Sequence, residues 1–208
     1  MKGVTMYQKS ILIVLLLSVS LGLFAGTDLP PVKDEKNPIL TLWVIGDMLM
    51  PGDARYKDLF GDSQICPKFK ITTNIMQSVY LFGGVAFSSR TGSFQIYDLT
   101  IDVKNTQLLG TLGAGYQFTL SKSLNAYIEA GGLYVSMKEE GMERTFSGTG
   151  FGFCAEGGVT LTISGPLKLG LHAGYSQATV ESPATTDQID LTAKPGGLTL
   201  GLGLGLSL

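Results

Sequence analysis

Six ionisable residues sit in segments where apolar and polar side chains alternate, always on the more polar parity: Lys68, Lys70, Glu129, Glu156, Lys168 and His172. An isolated charge inside a folded chain is costly, so charges of both signs sharing one face point to a buried ion-pair network. Glu129, Glu156 and Lys168 come from three successive segments, and Lys68 and Lys70 from a distant one. Two sharper chemistries use the same groups. A mixed-charge constriction would gate a small solute. His172, the only histidine, together with Glu156 and Ser176 also supplies the side-chain types of a Ser-His-Glu hydrolase. Ser176 lies four residues beyond His172 in one extended segment, which is ~13 Å at 3.3 Å per residue. That spacing forbids direct contact, so no enzyme is expected.

No spacing of Cys, His or acidic residues suits a metal. The run Gly148-Thr149-Gly150-Phe151-Gly152 precedes no helix and cannot act as a phosphate loop. Neither metal nor cofactor is expected. Leu133, Val135 and Met137 share the polar parity near the end of their segment and suggest an apolar pocket for a small hydrophobic ligand.

The elements that must position these groups are strands. From Gly197 to Leu208 every even residue is Leu and every odd one is Gly, Thr or Ser. A period of two places all the leucines on one face and the small residues on the other. In a soluble sheet this terminal strand would invite aggregation; it is sensible if the leucines meet lipid and the small residues line a narrow closed barrel. Eight such segments are predicted, at about Leu40–Met50, Ile65–Thr73, from Ser78, Thr106–Thr119, Leu124–Met137, Phe151–Ile163, Leu167–Val180 and Gly197–Leu208. A twelve-residue strand tilted ~45° covers ~28 Å, the thickness of a bilayer core.

Connections alternate between tight turns and long polar loops, and the stretch from Ser88 reads as a hairpin turning at Lys104-Asn105. Ala54–Phe60 is open to two readings, a solvated loop or one helical turn over the barrel mouth. Phe87, Tyr134, Phe151, Phe153 and Tyr175 cluster toward the long-loop end, and Tyr116 and Phe118 toward the other, as two interfacial belts would.

Residues 1–26 read as a cleavable signal peptide, with Lys2 and Lys9 before an apolar core. Residues 27–38 read as a flexible periplasmic lead-in and 39–208 as the barrel domain. The chain is 44% hydrophobic and only 15% charged, with 28 glycines. Removing Lys2 and Lys9 takes the net charge from −2 to −4, which excludes a basic nucleic-acid footprint. Cys66 and Cys154 fall on opposite walls, beyond the ~7 Å that a disulfide spans, and are expected to be free.

The phrases Leu-Gly-Ala-Gly-Tyr-Gln-Phe (112–118), Ala-Tyr-Ile-Glu-Ala-Gly-Gly-Leu-Tyr (126–134) and Gly-Gly-Leu (196–198) resemble the small eight-stranded bacterial outer-membrane barrels, the OmpW, OmpX and OmpA-barrel class. The resemblance implies an all-β, antiparallel, up-and-down transmembrane barrel in the outer membrane, with both termini periplasmic. It implies outer-membrane lipid as a partner, and barrel-insertion machinery engaged through the C-terminal strand. Gly203 fits that insertion signal, whereas Leu206 and Leu208 replace its aromatics. Two functions stay open: a closed barrel acting structurally or by binding through its loops, and a narrow OmpW-like conduit for small or hydrophobic solutes.

Overall fold

The computed structural model describes residues 40–97, 99–141, 144–181 and 192–208. The expected signal peptide and lead-in, and most of the connection after Glu181, lie outside the described residues. The strands are β1 (Leu40–Pro51), β2 (Gln64–Asn74), β3 (Val79–Ile96), β4 (Leu99–Thr119), β5 (Leu124–Gly141), β6 (Arg144–Ser164), β7 (Leu167–Glu181), β8 (Thr192–Ala193) and β9 (Gly196–Ser207), with helix α1 (Ala54–Phe60) between β1 and β2. Each long strand pairs antiparallel with its neighbours in the chain. β9 then pairs with both β7 and β1, closing an eight-stranded barrel, while the short β8 lies beside the end of β7. Closure removes the sheet edges that a bilayer would leave unsatisfied.

The alternation in the sequence becomes inside and outside. In β9 Leu198, Leu200, Leu202, Leu204 and Leu206 are exposed on the outer wall, and Gly201, Gly203 and Gly205 are buried within. β1 follows the same rule, with Val44 and Met48 outward and Ile45, Asp47 and Leu49 inward. The outer aromatics gather in two bands. Tyr134 stacks near Phe151 and Phe153 near Tyr175, with ring centroids 5.3 and 6.0 Å apart, toward one end; Tyr116 and Phe118 pair at 4.7 Å toward the other.

One end of the barrel, the turn end, carries the tight connections and the meeting of Leu40 with Leu208, joined by a 2.8 Å backbone hydrogen bond. The other, the loop end, is taller on one side. β4 and β6 run for 21 residues against 12 for β1 and β9. Here the sequence reading is corrected. The hairpin does not turn at Lys104-Asn105: pairing continues to Ile96 opposite Leu99, Tyr97 takes a positive φ of 54° in the turn, and Asn105 sits buried inside β4. The stretch expected as a loop after Met137 likewise extends β5 to Gly141 and starts β6 at Arg144. Above the apolar band the outer face of β4 turns polar, with Asp102 and Lys104 outward and Ile101 and Val103 on the inner parity, so the lipid-facing stripe ends although the backbone ladder continues.

Candidate functional site: the barrel lumen

The lumen is built in three storeys. At mid-height lies a charged network. The Lys70 ammonium donates to Glu129 Oε1 at 2.6 Å and Glu156 Oε1 at 3.1 Å, and Lys68 donates to Glu156 Oε2 at 2.8 Å. Lys68 also lies 3.8 Å from Asp47 Oδ2, and His172 Nε2 is 2.7 Å from Asp47 Oδ1 and 3.7 Å from Glu156 Oε2. The phenols of Tyr80 and Tyr127 donate to Glu129 and Glu156, each at 2.8 Å. Two ammonium groups and one imidazole thus face three carboxylates, all of them poorly accessible. Charge-assisted bonds of this length are the strong ones, and they offset the desolvation that makes a buried ion costly.

Five of the six ionisable residues singled out in the sequence meet here. The exception is Lys168, which makes no ion pair among the described residues and lies nearer the turn end, opposite Thr162 and Gly205. Its parity is right but its height on β7 is wrong for the network. Asp47, Tyr80 and Tyr127 complete the cluster and were not anticipated. Asp47 was the most legible of them, being the only charge in the otherwise apolar Leu40–Met50 segment.

The network draws side chains from β1, β2, β3, β5, β6 and β7, and the two remaining barrel strands supply space. A methyl added at Gly201 on β9 would land on Asp47 Oδ1 and His172 Nε2, and one at Gly115 on β4 would land on the Tyr80 ring. An eight-stranded bore is only just wide enough for side chains, so such groups can meet across it only where glycine faces them.

Toward the loop end the bore is filled by apolar side chains. Leu133, Val135 and Met137 pack with Leu109, Ala178 and Val180, and Val135 and Val180 have no exposed surface. These three residues therefore form a plug, not the expected open apolar pocket. Leu133, but neither Val135 nor Met137, lines a small space of about 70 Å³ shared with Cys66, Cys154 and Phe82. Pockets that hold drug-sized ligands measure ~300–1,000 Å³. The two cysteines are free.

Helix α1 settles the two readings of its sequence: it is a short helix whose Tyr56 reaches inward-facing side chains of β2 and β4. Asp53 accepts from the Tyr56 amide at 3.2 Å and caps the first turn. Phe60 is buried, 4.7 Å from the Tyr56 ring. The Tyr56 hydroxyl lies 3.3 Å from Gln64 Oε1 and 3.1 Å from Asn105 Oδ1, and accepts from Gln107 Nε2 at 3.1 Å. Asn105 in turn donates to Glu139 at 2.7 Å. Burial pushes the Tyr56 phenol up to about 12.

Below the network the lumen opens into a polar chamber of about 650 Å³ whose mouth is rimmed by turn residues such as Gln77, Ser121 and Gly165. No hydrogen bond joins Ser176 to His172 among the described residues; His172 faces Asp47, and Ser176 lines the small cavity above.

No protein-family model and no curated protein sequence matches the chain. Solved structures do match in fold. The outer membrane protein OprG from Pseudomonas aeruginosa aligns over 82% of this chain and 97% of its own at 13% identity, with a TM-score of 0.58. Neisserial surface protein A aligns over 81% and 97% at 10% identity, with a TM-score of 0.56. The outer membrane protein AlkL, solved in lipid bilayers, aligns over 88% and 96% at 14% identity, with a TM-score of 0.51. The chain thus has the fold of the small eight-stranded outer-membrane β-barrels.

Proposed function

We propose that this chain is an integral outer-membrane barrel, exported with residues 1–26 removed, whose lumen is sealed and whose role is structural or exercised through its loop end. Its turn end, and with it both termini, would face the periplasm. The observation that carries this reading is the stack of α1, the Leu133–Val135–Met137 plug and the ion-pair network, three successive closures of one narrow bore. Together they favour a bore without a continuous solute path. The outward leucine stripe of β9 supports lipid as the surrounding medium.

Single-channel recording of the refolded barrel in planar bilayers tests the seal. The expected result is a quiet membrane at every holding potential, for wild type and for a variant lacking α1 contacts such as Tyr56→Ala. A reproducible unitary conductance in the wild type would instead favour the conduit reading.

A further inference from the structure

The turn-end chamber has a lining that sealing the bore does not require. No aspartate or glutamate lines it, although Lys70, Lys122, Lys168 and His172 do. Lys70 and His172 belong to the network and are engaged by its carboxylates. Lys168, half-buried in the wall, and Lys122, on the rim, have no carboxylate partner among the described residues. Around Lys168 the wall is hydroxylated, with Thr41, Thr160, Thr162 and Ser207 all facing the cavity.

The same wall carries Trp43, the chain's single tryptophan. Its indole fits because it lies along the wall over glycines of the neighbouring strands: a methyl at Gly205, its register partner on β9, would come within 2.8 Å of the six-membered ring, and one at Gly170 on β7 within 3.0 Å. An aromatic face, a ring of hydroxyl donors and acceptors and an unpaired cation, in a concavity of ligand size, are the convergent features of a small-molecule site. The aromatic face suits the C–H face of a sugar ring, the hydroxyls suit its hydroxyls, and the ammonium suits a carboxylate or phosphate.

We propose that the chamber is a binding site for a small hydroxylated anion, a sugar acid or sugar phosphate, held by Lys168 and stacked on Trp43. Entry is from the turn end, and the network forms the floor, so the site is a blind recess and binding is independent of conductance. The negative charge of the ligand replaces the counter-ion that Lys168 lacks.

Trp43 is its own reporter. The mature chain in detergent micelles is titrated with glucuronate, with glucose 6-phosphate and with neutral glucose while indole emission is followed, and isothermal calorimetry is run in parallel. Saturable binding of at least one anion is expected, with glucose at least tenfold weaker. Lys168→Met should weaken the anion tenfold or more while leaving the unfolding transition in place. Raising ionic strength toward 1 M, where the Debye length is ~3 Å, should weaken it several-fold in the wild type, which keeps the test valid if the variant fails to refold. Preference for glucuronate or for glucose 6-phosphate distinguishes the two anion sources. Absence of saturable binding to either anion, glucose bound as well as the anions, or undiminished affinity in Lys168→Met with no salt dependence would each overturn the proposal.

Discussion

Replacing Lys70 with methionine isolates the energetic role of the charged storey. Methionine keeps most of the unbranched stem, so packing is largely retained while the charge goes. In the wild type the ammonium lies 2.6 Å from Glu129 and 3.1 Å from Glu156, and its side chain is only 4% exposed. It also sits 5.0 Å from the Tyr127 ring centroid and 5.5 Å from that of Phe82. Removing one partner of a buried pair leaves an uncompensated charge and costs about 3–5 kcal/mol. A cation–π contact is worth about 0.5–1 kcal/mol when exposed and about 2 when desolvated, but the methionine thioether regains part of this against the same two rings. Glu156 keeps Lys68 and Tyr127, whereas Glu129 keeps only the Tyr80 phenol among the bonds described. The loss should therefore be about 4 kcal/mol, and most of it should trace to Glu129. Reversible urea unfolding in phospholipid vesicles, followed by Trp43 emission, measures it. The double variant Lys70→Met/Glu129→Gln should recover at least half of the loss, because the stranded carboxylate is then neutral. A single-variant cost below about 1 kcal/mol, the value of a solvent-screened surface pair, or strict additivity in the double variant, would refute the reasoning.

Three further outcomes follow from the geometry. Gly201→Ala should destabilise the barrel by about 1–3 kcal/mol in the same assay, because its methyl falls on the Asp47–His172 bond, whereas alanine at the outward-facing Gly46, where nothing lies within 4 Å, should be close to neutral. The Tyr56 phenol, held up to about 12 by burial against an ordinary 10, favours the docked, protonated helix; docking should be complete below pH 10 and lost as pH rises toward 12, seen as new protease cleavage after Lys57. Mass spectrometry after alkylation should show Cys66 unmodified in the folded barrel and two adducts, with no disulfide, once the chain is denatured.

Strand positions were legible because the lipid-facing stripe repeats every second residue, and β9 carries that signal without interruption. The same signal stopped short at Lys104-Asn105, where a hairpin leaves the apolar band: the outer face becomes polar and the apolar residues, Ile101 and Val103, change to the inner one. In the lumen, parity identified Lys68, Lys70, Glu129, Glu156 and His172 but said nothing about height, which depends on register around the closed barrel. Lys168 therefore has the right face and the wrong storey. Leu133, Val135 and Met137 were legible as an apolar patch, but whether such a patch encloses space depends on Leu109, Ala178 and Val180 arriving from β4 and β7. The phenols of Tyr80 and Tyr127 were hidden for another reason: aromatic residues at lumen positions read as filler until their hydroxyls are seen meeting carboxylates.

The bond between Asp47 and His172 crosses above β9, the strand that lies between β1 and β7. It is a latch fastened on the inside of the seam, and parting β1 from β9 would mean tearing it open. It also proofreads how the final strand is seated. A shift of β9 by one position would swing Leu200 or Leu202 into the gap that Gly201 keeps clear, and the latch could not close. The plain Gly-Leu repeat at the end of the chain thus gives the barrel a way to tell a correctly zipped wall from one that is a single notch out.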